Sequence, residues 1–108
     1  MNFPNDDNGD VLRKMHEDGD DLSKSRIIDF NHIFSERRQA LSFVEKVLEE
    51  DFRICVSFYA SRKVWQATVS KYMLPIHGEI TQIETTLARS AVLFGGESDG
   101  WGCMQVSK

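Results

Sequence analysis

Residues 52–59 alternate strictly: Phe52, Ile54, Val56 and Phe58 occupy every second position, with Arg53, Cys55, Ser57 and Tyr59 between them. Successive side chains of a strand point to opposite faces, so this spacing predicts a β-strand with one apolar and one polar side. A sheet made of such strands needs another layer over its apolar side. Residues 60–63 are turn material. Trp65, Ala67 and Val69 then alternate with Gln66, Thr68 and Ser70, the pattern of a hairpin partner that runs on toward Met73.

Helical spacing supplies the covering layer. Ser35 is an expected N-cap for a helix running to about Glu50, with Leu41, Val44, Val47 and Leu48 as its buried stripe and Ala40 and Phe43 beside it. Pro75 precedes a second stripe, Ile76, Ile80, Ile83, Leu87, Ala91 and Phe94, which Gly95 and Gly96 end. Ile28, Phe30 and Phe34 alternate in a strand over 27–34, with His32 in the same register and Asp29 and Asn31 opposite. A last strand is expected over about Glu97 to Val106. Near the start, Asp7 or Asn8 would cap a short helix through Asp18 that carries Val11, Leu12 and Met15 and stops at Gly19. Residues 18–24 read as loop.

The order is a short helix followed by β-α-β-β-α-β. One arrangement that fits is an α+β, ferredoxin-like sandwich: a four-stranded antiparallel sheet, two helices on one face, and an extra short N-terminal helix. The other face would show Asp29, Asn31, Arg53, Cys55, Ser57, Tyr59, Gln66, Thr68, Ser70 and Tyr72. A chain of 108 residues makes one domain. Residues 1–8 are expected to be flexible and 9–106 to form that domain.

Charge is segregated. Residues 1–25 carry seven acids against three bases, a net of four negatives, and ten acids balance ten bases in the rest. A neutral body exerts no general pull on phosphates, so direct nucleic-acid binding is disfavoured, and a basic protein surface suits the acidic arm better. No apolar run approaches the ~20 residues of a membrane span. No basic-then-apolar leader opens the sequence, so a cytoplasmic location and free thiols at Cys55 and Cys103 are expected. His16, His32 and His77 match no ligand spacing, so neither metal nor cofactor is expected.

Several groups invite a functional reading. Asp18, Gly19, Asp20 and Asp21 put three carboxylates into four residues; they read either as a solvated turn or as a loop that grips a basic partner, and the spacing of a calcium loop is missing. Arg37 and Arg38 fall in a helix's first turn, where cations oppose the dipole, which marks either a binding role or long side chains reaching a carboxylate. His32 reads as a packed structural histidine, His77 as a surface one, and the cysteines as inert. Tyr59, Tyr72, Trp65 and Trp101 suggest base stacking, but the ribonucleoprotein signature is missing from Val64-Trp65-Gln66-Ala67-Thr68-Val69. Gly95-Gly96-Glu97-Ser98-Asp99-Gly100-Trp101 describes a tight corner with an indole that must pack on something.

The ordered set Gly19-Asp20-Asp21 with Leu22 and Arg26, a strand with His32 and Phe34, a long helix with Ile80 and Leu87, Gly95-Gly96-Glu97 and Asp99-Gly100-Trp101-Gly102 resembles the ribonuclease E inhibitor family, regulator of ribonuclease activity B (RraB-like). The resemblance covers about residues 9–104. It implies a ferredoxin-like domain that catalyses nothing, binds an endoribonuclease and alters RNA turnover. Best-known members carry a long acidic C-terminal tail, whereas this sequence ends at Ser107-Lys108; that leaves either a different partner or use of the acidic N-terminal arm. The partner-contact residues expected on these grounds are Asp18, Asp20, Asp21, Arg37, Arg38, Asp99 and Trp101. The alternative is a small-ligand or RNA-binding module of the same topology.

Overall fold

Residues 2–48 and 51–108 are described by a computed structural model. The elements run α1 (Asp7–Glu17), β1 (Arg26–Phe34), α2 (Arg37–Val47), β2 (Arg53–Tyr59), β3 (Val64–Met73), α3 (His77–Leu93) and β4 (Glu97–Cys103). Four strands make one sheet in the order β2-β3-β1-β4, and every neighbouring pair is antiparallel. The fold is α+β, with three helices and one antiparallel sheet.

Register follows the alternation. Phe30 lies opposite Val69, His32 opposite Ala67 and Phe34 opposite Trp65, so these side chains share one face. Val56 and Ile54 join that face from β2, and Trp101 and Cys103 from β4. Helices α2 and α3 pack on each other, and their buried residues belong to the same cluster as the inward residues of the sheet. Phe30, Phe43, Val69 and Ile80 at its centre are essentially sealed from solvent. On the other face the ladder is polar and paired with itself: Thr68 Oγ1 donates to Asn31 Oδ1 (2.9 Å) and Ser70 Oγ to Asp29 Oδ1 (2.5 Å).

Local details depart from the expected boundaries for identifiable reasons. Helix α1 is capped by Asp6, not Asp7 or Asn8: the Asp6 carboxylate accepts the Gly9 N–H at 2.7 Å. A Cβ on Gly9 would stand 1.8 Å from the Pro4 carbonyl oxygen, so only glycine lets the preceding chain fold this closely over the helix. Of the segment expected to be flexible, Phe3 lies against the core and Asp7 and Asn8 are helical. Within α1, Leu12 is buried, while Val11, expected beside it, is exposed.

Helix α2 begins after Glu36 rather than Ser35, because the Gln39 side chain accepts the Glu36 N–H (3.0 Å) and draws Ser35 Oγ into a side-chain bond. It ends at Val47, and the expected extension through Glu49 and Glu50 lies outside the described residues. Its buried stripe is Ala40, Phe43 and Val47, not the one centred on Leu41 and Leu48. The helix turns so that Phe43, its bulkiest side chain, enters the core between Phe34 (5.3 Å) and His32 (4.7 Å). Leu48 is already extended and leaves the helical period. In α3, Ile76 is the exposed N-cap rather than part of the stripe, while Ile80, Leu87 and Ala91 are buried as expected.

The glycine corner after α3 is steric. A Cβ on Gly96 would approach the Phe34 ring to 2.3 Å and the Ile33 carbonyl oxygen to 2.6 Å. The chain must graze the end of β1 there to enter β4. Strand β4 ends at Cys103, short of the expected Val106, and within it a bulge sets two residues, Asp99 and Gly100, against the single Asn31 of β1.

His32 is buried, packs on Phe43 and donates from Nδ1 to the Ala67 carbonyl (3.3 Å). Burial lowers its pKa from the ordinary 6.5, and the backbone bond only partly opposes this. The folded form therefore holds His32 neutral, while the unfolded chain takes up a proton as the pH falls through 6.5. The contribution is fully present above that pH and is lost below it. The carboxylates whose pKa is lowered, Asp6 and Asp21, act only near and below their ordinary 3.8. Urea midpoints at about pH 7.5 and about pH 5.5 should therefore differ in the wild type and differ much less in His32→Leu; equal differences would contradict this role.

Candidate functional site

The turn between α1 and β1 is built around one buried ion pair. Asp18 ends α1, and Gly19 follows at φ +92°, a conformation that returns the chain sharply toward the domain. Asp20 N–H then donates to the Met15 carbonyl (3.0 Å), which sets the carboxylate inward. Asp20 Oδ2 accepts from Arg26 Nη1 at 2.7 Å, with side chains 1% and 4% exposed. Arg26 precedes β1's apolar residues at the same parity as Ile28 and Phe30, so the strand period itself directs it inward.

Arg26 also gathers the backbone. Its guanidinium donates to the carbonyls of Asp21 (2.9 Å), Lys24 (3.2 Å) and Met104 (3.3 Å). The hydrogen bond to Asp20 raises its pKa further, so it stays charged. The tail after β4 closes the same unit. Asp21 N–H donates to the Val106 carbonyl (2.7 Å), and Gln105 Nε2 donates to the Asp18 carbonyl (3.2 Å). Asp21's own carboxylate accepts Ser23 Oγ (2.6 Å) and Ser23 N–H (3.1 Å), which hold its pKa below the ordinary carboxylate value. Asp18 stays at the surface, paired with Lys14 at 3.1 Å.

A second anchor holds the other end of α1. Asn8 Nδ2 donates to Thr81 Oγ1 and Glu84 Oε1 of α3, both at 3.0 Å, and its Oδ1 accepts Trp101 Nε1–H at 2.8 Å. One side chain thus joins α1, α3 and β4. The expected packing partner of the Trp101 indole is this helix together with the core.

The residues named from sequence do not converge on one site. Asp18, Asp20 and Asp21 lie at the start of β1. Arg37 and Arg38 lie beyond its far end, roughly 26 Å away along the strand. There Arg37 stands 5.9 Å over the Trp65 ring, and Arg38 Nε reaches Glu36 Oε2 at 2.5 Å. Asp99 pairs with Arg62 at 2.9 Å, tying β4 to the β2–β3 turn. The carboxylate turn is not simply solvated, since Asp20 is withdrawn from the surface. Cys55 is exposed on the polar face, and Cys103 is half-buried near Arg26, its thiol pushed up mainly by burial; both are free. Sequence reasoning named Asn8 only as a possible cap of α1, and Arg26 entered only as part of the resemblance. The parity of Arg26 with the inward residues was an available sign that a buried acid must answer it. Nothing local marks Asn8, whose partners are more than seventy residues away.

The family model described as regulator of ribonuclease activity B matches residues 5–103, nearly the whole chain and every regular element of it. The chain belongs to the RraB family. RraB proteins are regulators of ribonuclease activity by that description. Compared individually with curated proteins, the chain finds no match. Among the described residues no helix of this RraB-family chain is long and apolar enough to cross a membrane.

Removing one partner of a buried pair strands the other charge, at a cost of about 3–5 kcal/mol. Asp20→Asn should lower unfolding free energy by about that much in urea melts, and Asp20→Val combined with Arg26→Met should restore a large part of it. A single substitution costing under about 1 kcal/mol, as an exposed pair would, contradicts the assignment.

Proposed function

We propose that this chain is a non-enzymatic regulator that binds an endoribonuclease in the manner of ribonuclease E inhibitors and so modulates RNA turnover in the cytoplasm. Membership of the RraB family carries the reading. The fold supports it as well. Read from the other edge the strand order is β4-β1-β3-β2, which favours the ferredoxin-like description of the domain.

The contact surface we propose is the acidic corner. Asp7, Asp10, Glu17 and Asp18 are exposed on α1, and Asp21 is partly exposed in the turn. Asp20 acts from beneath, by holding that turn. Rim carboxylates of this kind steer a basic partner and raise the rate of encounter more than the final affinity. Trp101 supports α1 from the inside rather than meeting the partner. The polar sheet face is the less favoured contact, since Asp29, Asn31, Thr68 and Ser70 already satisfy one another.

The test is cleavage of a fluorogenic RNA by a purified endoribonuclease of the ribonuclease E type, titrated with this protein. Cleavage should fall to a plateau, and the protein alone should cleave nothing. Asp10→Asn with Asp18→Asn should weaken the effect roughly two- to tenfold, and added salt should weaken it further. Unchanged cleavage together with no co-elution would overturn the proposal.

A further inference from the structure

The two edges of the sheet are finished differently. Strand β4 carries the bulge opposite Asn31 and has glycines at Gly100 and Gly102, irregularities that deter a further strand from adding. Strand β2 lacks these protections. Its seven residues pair with β3 in unbroken register, include no proline, and turn only Ile54, Val56 and Phe58 toward the helix side. Among the described residues no strand pairs with its free side. The helix layer leaves the same edge partly bare. Helix α2 lies over β1, β3 and β2, and α3 over β1 and β4. On α2, Lys46 turns toward α3, where it lines a cavity with Gln82 and Thr86, whereas Arg37 on the other flank stands over Trp65. That outer flank continues through Leu41 to Leu48, 37% and 64% exposed, and beside it Phe58 of β2 is 52% exposed.

We propose that β2 pairs antiparallel with β2 of a second copy of this chain, continuing the sheet through a twofold axis at Val56. The strand is complementary to itself in that register. Val56 is its midpoint, so Ile54 comes opposite Phe58, Cys55 opposite Ser57, and the Arg53 guanidinium opposite the Tyr59 ring. Charge agrees. Asp51 precedes the strand and Arg62 and Lys63 follow it, so antiparallel pairing brings the acid of each copy to the basic turn of the other. Asp51 is held by Lys71 (3.3 Å) and Arg62 by Asp99 (2.9 Å), and both pairs are open enough to water to exchange at little cost. A parallel pairing would instead set basic turn against basic turn. The helices fit the same axis. Arg37 at the start of α2 stands by Trp65, the neighbour of Phe58, and Val47 at its end lines a cavity with Phe52. Leu41 therefore lies toward the end of β2 and Leu48 toward its start, and the axis carries Leu41 of one copy to Leu48 of the other. One isologous contact thus covers the open edge and the exposed leucines together. The acidic corner, tied by Asn8 to α3 and β4, lies at the far edge of the sheet and stays free in both copies, so the dimer presents it twice.

The test is the mass of the full chain in solution, by sedimentation equilibrium between about 1 µM and about 1 mM. The mass should rise with concentration from one chain toward two and stop there. Leu41→Lys with Leu48→Lys sets like charges across the axis and should weaken the dimer at least about tenfold. Both leucines are exposed, so the amide spectrum should remain that of the folded chain. Ser57→Cys reports the register. Its thiol faces Cys55 of the second copy, so with diamide as oxidant it should cross-link copies far faster than the wild type does, where Cys55 faces Ser57. A single chain at every concentration, a dimer that the two lysines do not weaken, or cross-linking no faster than in the wild type would each overturn the proposal. No ribonuclease enters these assays, so their failure removes the dimer and leaves the functional reading to its own test.

Discussion

Asp20 and Arg26 are charged groups taken out of water at the edge of an apolar core, and the acidic end of the molecule is arranged around keeping them there. Removing such charges from solvent costs several kcal/mol each, which mutual attraction offsets only when the remaining donors and acceptors are also met. Arg26 meets that condition with three backbone carbonyls drawn from the turn and from the tail after β4. The pair therefore does more than join two side chains. It fixes where α1 stops, where β1 starts and where the chain passes after β4. Asn8 repeats the device at the opposite end of α1, with neutral partners on α3 and β4. A helix that could have been a loose acidic arm is tied to the domain at both ends.

That anchoring gives the charge segregation a structural meaning. Seven acids in the first 25 residues would be a diffuse negative cloud on an unfolded arm. Asp7, Asp10, Glu17 and Asp18, held on a docked helix and its C-cap, instead form a surface with a fixed geometry. The groups that could perform chemistry are dispersed by the same fold. His32 is sealed under Phe43, Cys55 faces outward from the edge strand β2, and Cys103 lies beside Arg26.

Much of the architecture was legible because it is periodic. The alternation in 52–59 and 65–73 located two strands and assigned the residues of the polar face, and the Ile80–Leu87–Ala91 spacing located α3. Gly95 and Gly96 marked a turn whose steric cause is Phe34. What was not legible depends on tertiary choice. Residues 40–48 offer two neighbouring apolar stripes, and the one used was decided by where Phe43 fits between Phe34 and His32. Asp20 looks the same as Asp18 and Asp21 in a sequence of adjacent acids; only its distance to Arg26 separates a buried structural carboxylate from exposed ones. The seven residues expected as partner contacts were spread along β1 from one end to the other, because adjacency in a motif says little about adjacency in a sheet.

The central claim is that α1 is an integral, anchored part of the domain. Native-state hydrogen exchange measures this most directly, because local opening of α1 would expose its amides without unfolding the sheet. The account predicts that the amides of Leu12 through Met15 exchange nearly as slowly as those of β1 and β3. Fast exchange throughout α1, with the sheet still protected, would contradict it.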